Sequence, residues 1–273
     1  MNKAIWLARL LHSHGGMSKR DILDAWRDQD EKSRPMPEST FYDNRRILES
    51  TFDLKVDCRA GIYSLSENAC DMLPATILNG DQEPDEQESN VNLWVPLISE
   101  AVGERRKLRM EYAPINKSAY TTDLSPYCLH RYEEIWYVVG YSTHHSSIRN
   151  FASDRITTLT ALPSHFRLPA GFSRKQWFAN SVGAYGGPGI KAEHVVIEPR
   201  SSYVQAYIKS RPLHPSQKFT ETSGHAPRFE LDVAPTRDFI GRLLSFGSQI
   251  RVVEPLSLKL AIKKEAEAIC QET

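Results

Sequence analysis

Apolar residues at the start of the chain recur with the spacing of two helices. The first helix is indicated by four apolar residues at i, i+3, i+4 and i+7: Ala4, Leu7, Ala8 and Leu11. Gly15 and Gly16 then predict its end, because consecutive glycines favour a turn over a helix. Ser18, followed three residues later by Asp21, is typical of a helix start in which side chains satisfy free backbone N–H groups. A second helix is therefore predicted from Ser18.

The next forty residues predict a third helix and a β-hairpin. Pro37 suits the first helical position, where a missing N–H costs nothing, and Phe41, Ile47 and Leu48 form a buried stripe. The opposite face is polar and carries Ser39, Tyr42, Asp43 and Arg46. Residues 54–58 alternate between apolar and polar, residues 59–61 can turn, and residues 62–65 can return as a second strand. Three helices and a hairpin predict a winged helix-turn-helix domain.

The middle of the chain predicts one helix followed by strands. Leu97, Ile98, Ala101 and Val102 have helical spacing, and Leu108, Met110 and Tyr112 then alternate with polar residues. The runs IWYVVGYS and RITTLTAL are rich in β-branched and aromatic residues. We therefore expect a helix packed on a small, strongly bent β-sheet or barrel.

The last eighty residues predict a β-α-β-β-α-β-α order, which suggests a ferredoxin-like domain. The predicted elements are strand 194–198, helix 201–210, strands 218–222 and 228–233, helix 236–246, strand 249–253 and helix 256–269. The expected fold class is α+β multidomain. The expected domains are a winged helix (1–68), an acidic linker without Lys or Arg (69–92), a middle domain (93–188) that ends in a glycine-rich break, and a C-terminal domain (189–273).

Charge and cysteine content narrow the possible classes of protein. Lys plus Arg and Asp plus Glu both number 34, and residues 1–66 hold 11 basic and 10 acidic residues, so no strongly basic domain stands out. The cysteines Cys58, Cys70, Cys128 and Cys270 form no Cys-x-x-Cys pair, which argues against a disulfide framework and a zinc site. No apolar run approaches a membrane span, and the N-terminus lacks an export signal. A cytoplasmic, nucleoid-associated protein without membrane contact is expected.

A winged helix of this kind presents its third helix to the DNA major groove, while the second helix and the wing hold phosphates. The candidate DNA contacts lie on and around that helix: Lys19, Arg20, Arg34, Ser39, Tyr42, Arg45, Arg46, Lys55 and Arg59. The alternative is a solvated face, or a winged helix that binds protein, because the segment is nearly neutral. Tyr42 either packs on a sugar or is simply half-exposed.

The middle segment resembles the WYL-domain transcriptional regulators. The similarity runs from ERRKLRMEY through LSPYCLHRYEEIWYVVGYS to IRNFASDRITTLTAL and FSRKQWFANSVGAYGG, within residues 93–188. The family's Trp-Tyr-Leu tripeptide stands here as Trp136-Tyr137-Val138, a conservative departure, and the Phe-x-x-Asp-Arg-Ile ending is intact at residues 151–156.

The resemblance implies an Sm-like small β-barrel that senses single-stranded nucleic acid or a nucleotide. By that resemblance the pocket is lined by Ser125, Tyr127, Tyr137, Arg149 and Arg155. Arg131 is a further candidate that could supply charge at the pocket rim, and His145, in a polar loop, is a further candidate for ligand contact. A guanidinium group binds phosphate through two parallel hydrogen bonds, and a tyrosine ring stacks on a base, so these residue types are consistent with such a pocket. Two readings stay open: Arg155 pairs only with Asp154, and His145 is only solvated. Trp136 is expected in the core.

These observations predict a homodimeric regulator that binds double-stranded operator DNA and responds to a nucleic-acid ligand. Repression relieved by ligand is the expected direction, and the Arg-Pro-x-x-x-x-Thr-Phe pattern at residues 34–41 resembles regulators of anti-phage defence operons. The alternatives are a ligand-activated activator and a non-catalytic scaffold that binds nucleic acid and contacts protein. An enzyme is not expected, because no phosphate loop or His-Glu-x-x-His helix is present, and no cofactor or metal is predicted.

Overall fold

The computed structural model describes residues 3–27, 36–52, 54–66, 93–221 and 226–271. Its contacts divide the chain into two compact units, Met1–Arg174 and Lys175–Thr273. The predicted acidic linker (69–92) and Arg34 lie outside the described residues.

The first unit begins with three helices and a small antiparallel sheet. The elements are α1 (Lys3–His14), β1 (Met17–Ser18), α2 (Lys19–Arg27), α3 (Glu38–Phe52), β2 (Val56–Arg59) and β3 (Ile62–Leu65), and the strands lie in the order β1-β3-β2. The three helices and the hairpin are those that the sequence predicts. The two-residue strand β1, which pairs Met17 with Tyr63, carries no periodic signal and was not predicted.

Local hydrogen bonds explain where these elements begin. The Ser18 hydroxyl accepts from the backbone N–H of Asp21 at 3.2 Å and donates to the Asp21 carboxylate at 2.7 Å, so the pair caps α2. The Pro37 carbonyl accepts from the N–H of Thr40 at 2.9 Å at the start of α3. Ala60 (φ 51°) and Gly61 (φ 80°) both adopt positive φ, which a tight hairpin turn between β2 and β3 requires. Cys58, expected on the apolar side of β2, is exposed because the hairpin extends beyond the core there.

The middle of the first unit is one helix on a five-stranded antiparallel sheet. Its elements are α4 (Val95–Glu104), β4 (Arg106–Tyr112), β5 (Tyr120–Tyr132), β6 (Ile135–Ser142), β7 (Ser147–Ala152) and β8 (Ile156–His165), with the strand order β7-β6-β5-β4-β8. Trp136 is 2% exposed and lies in the core, as predicted.

The connection between the two edge strands shows that this sheet is strongly curved. Strands β7 and β8 are opposite edges, yet only the single turn Ser153–Arg155 joins them. The chain from Ala152 to Ile156 reaches at most about 14 Å. The edge strands of a flat sheet of five would lie about 19 Å apart. The sheet must therefore curl until its edges approach each other. The assignment to an Sm-like barrel stays a prediction.

A bulge in β5 sets the register at the centre of this sheet. Pro126 lies opposite Gly140 of β6, and the register then shifts so that Cys128 lies opposite Val139. Proline cannot donate a ladder hydrogen bond, which explains why the irregularity occurs there. Gly140 is required by packing, because a Cβ atom would lie 2.9 Å from Leu124 Cδ1 and 3.0 Å from Pro126 Cα.

The N-terminal helices and the middle sheet share one hydrophobic core. Helix α3 contacts α1 on one side and β5 and α4 on another. Phe41 and Leu48 of α3 are fully buried, and the cluster that contains them continues through α4 to Leu159 of β8. The polar face of α3 therefore points away from both neighbours, while its apolar face is anchored to the sheet.

The second unit is a four-stranded antiparallel sheet with helices. Its elements are α5 (Arg174–Trp177, which begins at the last residue of the first unit), β9 (Glu193–Pro199), α6 (Ser202–Ser210), β10 (Lys218–Thr220), β11 (Arg228–Val233), α7 (Arg237–Leu244), β12 (Ile250–Glu254) and α8 (Leu256–Cys270). The strand order is β10-β11-β9-β12. Each predicted element is present, with most ends displaced by one or two residues. The ferredoxin-like and winged-helix names stay predictions, as do the domain boundaries.

Candidate nucleic-acid interface and ligand site

The polar face of α3 forms a continuous outward stripe. Ser39, Tyr42 and Arg46 recur at intervals of three and four residues, so they share one side of the helix. Tyr42 is 45% exposed, and the Arg46 side chain is 79% exposed. Lys19 of α2 lies 5.8 Å from the centre of the Tyr42 ring, so it extends this stripe toward the second helix. A surface of this shape can enter a groove of duplex DNA.

Most cations around the stripe are paired with a carboxylate. Lys19 Nζ lies 3.0 Å from Glu38, Arg46 Nη2 lies 3.2 Å from Asp43, and Arg45 Nε lies 3.4 Å from Glu49. Arg20 pairs with Asp24 at 3.9 Å, and Lys55 pairs with Asp57 at 3.8 Å. Arg59 is exposed at the end of β2. These pairs hold the surface close to neutral, although exposed ion pairs exchange readily for phosphate contacts because each is worth little.

A separate cluster of side chains lies at one end of the curved sheet. Two histidines and a tyrosine form its centre. The Tyr120 hydroxyl lies 2.9 Å from His145 Nε2, and the rings of Tyr120 and His144 stack with centroids 4.1 Å apart. Burial lowers the pKa of His145, and the nearby charges of His144, Arg149 and Lys117 act in the same direction. His145 is therefore mainly neutral at pH 7.

Two arginines adjoin this centre. Arg149 of β7 is close enough for its charge to act on Tyr120 and His145. Arg155 lies within hydrogen-bonding reach of the Tyr112 hydroxyl, which also accepts from the N–H of Ala152 at 3.3 Å. Burial raises the pKa of Tyr112, so its hydroxyl stays protonated. The ligand cluster, defined as Tyr112, Tyr120, His144, His145, Arg149 and Arg155, thus combines aromatic rings with two guanidinium groups.

Tyr137 of β6 interacts with the charge of Arg155, but it pairs with Ala152, three positions along β6 from the pair of Gly140 and Arg149, so it lies on the face opposite Arg149. The other predicted pocket residues lie elsewhere. Ser125 pairs with Tyr141, one position along β6 from the pair formed by Gly140 and Arg149. Because successive strand residues point to opposite faces, Ser125 and Arg149 do not share a face. The structure therefore separates these two candidates.

Tyr127 and Arg131 occupy two further positions on β5. The Tyr127 ring is buried against Phe166 and Phe172, with centroids 5.7 and 5.0 Å away. Arg131 lies near the β5–β6 turn and donates to Glu134 at 2.9 Å. Between them, burial raises the pKa of the Cys128 thiol to about 12.

Tyr112, Tyr120 and His144 were not among the predicted pocket residues. The signal for the two tyrosines is the short connection between β4 and β5, which places Tyr112 directly opposite Tyr120. The stacking of His144 on Tyr120 depends on the β6–β7 turn, which periodicity does not report. Among the described residues, no group of three or more His, Cys, Asp or Glu side chains could hold a metal ion. No helix in the same residues is long and apolar enough to cross a membrane.

Comparison with known proteins identifies two domains. Residues 94–161 match the WYL domain, and residues 191–270 match the WCX domain. A search of the curated proteins finds no match. The solved structures that match include the proteasome accessory factor B/C (PafBC) of Arthrobacter aurescens, at 16% identity and a TM-score of 0.29. A CRISPR Cas-related protein also matches, at 12% identity and a TM-score of 0.39.

These alignments cover 98% of the chain in each case, 46% of the PafBC chain and 84% of the other chain. The chain thus spans about half the length of PafBC. The two domain matches together cover more than half of the 273 residues. The chain belongs to the family of WYL-domain transcriptional regulators.

Proposed function

We propose that the chain is a homodimeric regulator that binds operator DNA through α3 and releases it when a nucleic-acid ligand occupies the ligand cluster. The ligand is single-stranded DNA or a nucleotide, and the direction is repression relieved by ligand. We also propose that the operon it controls is an anti-phage defence operon. The observation that carries it is the packing of α3 directly on β5, whose first residue, Tyr120, belongs to the ligand cluster.

The outward stripe of α3 supports the DNA-binding part. Its apolar face is buried, and Ser39, Tyr42 and Arg46 project from the opposite side. A helix held in this way can present polar side chains to base edges and phosphates. One such helix reads only a few base pairs, so two copies on a palindromic site supply the specificity that a regulator needs.

The ligand cluster supports the sensing part. Tyrosine rings provide stacking surfaces for bases, and Arg149 and Arg155 can bind phosphate. Release of DNA requires that the ligand bind one conformation of the protein better than the other. Since β5 contacts α3, a ligand that displaces β5 also displaces the DNA-reading helix.

Replacing Arg46 with alanine is expected to weaken operator binding by roughly 1–3 kcal/mol, because a charged contact to DNA is lost. Replacing Arg149 with alanine is expected to weaken oligonucleotide binding and leave operator binding intact. A mobility-shift assay on DNA from upstream of the protein's own operon, with and without short single-stranded DNA, measures both effects.

The matched control is Asp43→Ala, which removes the carboxylate that pairs with Arg46 at 3.2 Å. It should keep or strengthen operator binding, because the guanidinium becomes available to DNA. The regulator proposal fails if the wild type shifts no DNA at low salt. The division of roles fails if Arg46→Ala and Arg149→Ala lose both activities equally while remaining folded.

Ligand binding is expected to tighten as the pH falls from 7 to below 6.5. The pKa of free His145 lies below its usual value of 6.5. A bound phosphodiester raises that pKa by charge attraction, so ligand binding takes up a proton. The Kd therefore becomes smaller as the pH falls. Fluorescence anisotropy with an oligonucleotide that lacks a terminal phosphate measures this. His145→Gln should flatten the profile, whereas His165→Gln should not; identical profiles for the wild type and His145→Gln would contradict a His145 role.

The paired charges around α3 favour a second candidate function. Lys19, Arg45 and Arg46 each pair with an acidic side chain. The net positive charge of this surface is therefore small compared with that of a nucleic-acid interface. A non-catalytic scaffold that senses nucleic acid and contacts protein through its N-terminal helices would suit such a surface. Failure of the wild type to shift any DNA, combined with intact oligonucleotide binding, would favour this alternative.

A further inference from the structure

The second unit contains a cleft that the proposed function does not use. It has a volume of about 500 Å³ and lies between the end of α7, the edge strand β12 and the last helix α8. This volume falls within the range of small-molecule sites in proteins. All of its lining residues belong to the second unit.

The floor of this cleft is aliphatic. Leu243 and Ile250 are buried beneath it, and Val252, Ile262 and Ala266 complete its surface. Among the described residues, no Phe, Tyr, Trp or His lines the cleft. A nucleobase would find no ring on which to stack, so the floor suits a saturated hydrocarbon chain better than a nucleotide.

The rim of the cleft is cationic. Arg200, Arg251, Lys259 and Lys263 line it, and no Asp or Glu does in the part of the chain that the structure describes. Among the residues that the structure describes, Arg200 and Lys259 have no carboxylate within 4.0 Å. These two side chains are therefore available to an anionic group.

The other two rim cations are only partly neutralised. Arg251 shares the buried carboxylate of Glu198 with Arg228, each at 2.9 Å, so one negative charge serves two guanidinium groups. Lys263 lies 3.6 Å from Glu267, one helical turn further along α8. A net positive field therefore surrounds the aliphatic floor.

The sequence of α8 explains how floor and rim come together. Lys259, Ile262, Lys263 and Ala266 follow i, i+3, i+4, i+7 spacing, so one helix face presents both the charges and the apolar groups to the cleft. On β12, Ile250 and Val252 share the face that borders the cleft, whereas Arg251 lies between them at the sheet edge and points to the face that carries Glu198. Lysine and arginine stems can cover apolar surface while their charged ends reach solvent, which suits a rim.

We propose that this cleft binds an amphiphilic anion, a saturated acyl chain with a carboxylate head, with the chain on the aliphatic floor and the head between Arg200 and Lys259. A second copy of this chain fits poorly, because a twofold interface would place the cationic rim against itself. A DNA backbone would engage the cations and leave the aliphatic floor in water. Only an amphiphile satisfies both parts of the cleft.

Isothermal titration of the full-length chain with dodecanoate, below its micelle concentration, tests the proposal. We expect binding that weakens with added salt and weakens about threefold to fourfold for each methylene removed in undecanoate and decanoate. Dodecyltrimethylammonium has the same chain and a positive head, so it should not bind. Absence of dodecanoate binding, equal binding of the cationic amphiphile, or independence of chain length would each overturn the proposal.

Two variants locate the site. Arg200→Ala combined with Lys259→Ala should weaken dodecanoate binding at least about tenfold, because charge-assisted hydrogen bonds are lost. Ala266→Trp should abolish binding by filling the cleft, and Ala266 is exposed, so the larger side chain is accommodated. Lys264→Ala, an exposed cation of α8 outside the cleft, is the control and should bind normally. Wild-type binding in both test variants would overturn the site.

This proposal goes beyond the proposed function and does not depend on it. Operator binding by mobility shift and oligonucleotide binding by anisotropy are measured on the same variants. A variant that loses dodecanoate binding and keeps both other activities places the dodecanoate site in the cleft. Sedimentation of Ala266→Trp separates a ligand site from a subunit contact. A change of oligomeric state without any dodecanoate binding by the wild type would overturn the ligand site in favour of an interface.

Discussion

Replacing Phe41 with alanine is expected to lower the free energy of unfolding by about 3–5 kcal/mol, and to loosen the middle sheet together with the N-terminal helices. The ring is fully buried and packs edge-on against Tyr63, with centroids 5.0 Å apart. Because the core runs without a break from α1 to β8, we expect the described helices and strands from α1 to β8 to unfold cooperatively. Urea unfolding and hydrogen exchange by mass spectrometry measure the two effects.

The comparison variant is Phe229→Ala, which removes a fully buried ring from the second unit. It should increase exchange in β9 and β11 and leave β5 and β6 protected. Phe41→Leu retains most of the apolar volume and should cost less than about 1.5 kcal/mol. If Phe41→Ala increases exchange only in α1, α2 and α3, the helices unfold independently of the sheet and the shared core does not couple them.

Replacing Gly140 with alanine is expected to destabilise the chain by about 3 kcal/mol, at the upper end of the range for overpacking. The new Cβ would overlap the carbonyl oxygen of Ser125 and lie within 3.0 Å of the Pro126 Cα. Backbone atoms cannot turn aside as a flexible side chain can, so β5 and β6 must separate at the bulge. Urea unfolding measures the loss.

Gly241→Ala is the control for Gly140→Ala. Gly241 lies within α7, and a Cβ atom there would meet nothing within 4 Å. Alanine should therefore stabilise that helix by up to about 1 kcal/mol, since glycine is a poor helix former. A Gly140→Ala protein as stable as the wild type would mean that the two strands are not as close as the structure has them.

The C-terminal unit was predicted almost element by element because its local signals agree with one another. Ser201 and Thr236 cap α6 and α7 by accepting from backbone N–H groups three residues later, at 3.3 and 3.2 Å. Such caps can be predicted from sequence because the capping residue and the backbone N–H that it binds lie within one helical turn. By contrast, β5 continues through Pro126, which interrupts the sequence signal of a strand. Pairing with β4 and β6 overrides that local preference.

The candidate ligand site was only partly predictable, because its composition depends on sheet register. His145, Arg149 and Arg155 come together because they lie in the β6–β7 turn, on β7 and in the turn that follows β7. Ser125 and Arg149 fall on opposite faces because of the pairing around Gly140, and a shift of one residue would exchange the faces. The alternation of apolar and polar residues in the sequence does not determine how β5, β6 and β7 pair around Gly140. The packing of α3 on β5 likewise depends on contacts between distant residues.

The buried thiol of Cys128 bears on the signals to which β5 can respond. Thiolates, not thiols, react with peroxides and disulfides, and a pKa near 12 leaves almost no thiolate at neutral pH. The strand that carries Ser125 and Tyr127 is therefore insensitive to oxidants as long as the first unit stays folded. Cys58 and Cys270, both exposed, are the described thiols open to such chemistry, and neither lies on β5. Among the described thiols, peroxide would therefore react with Cys58 and Cys270 and leave the sulfur atom of β5 unmodified.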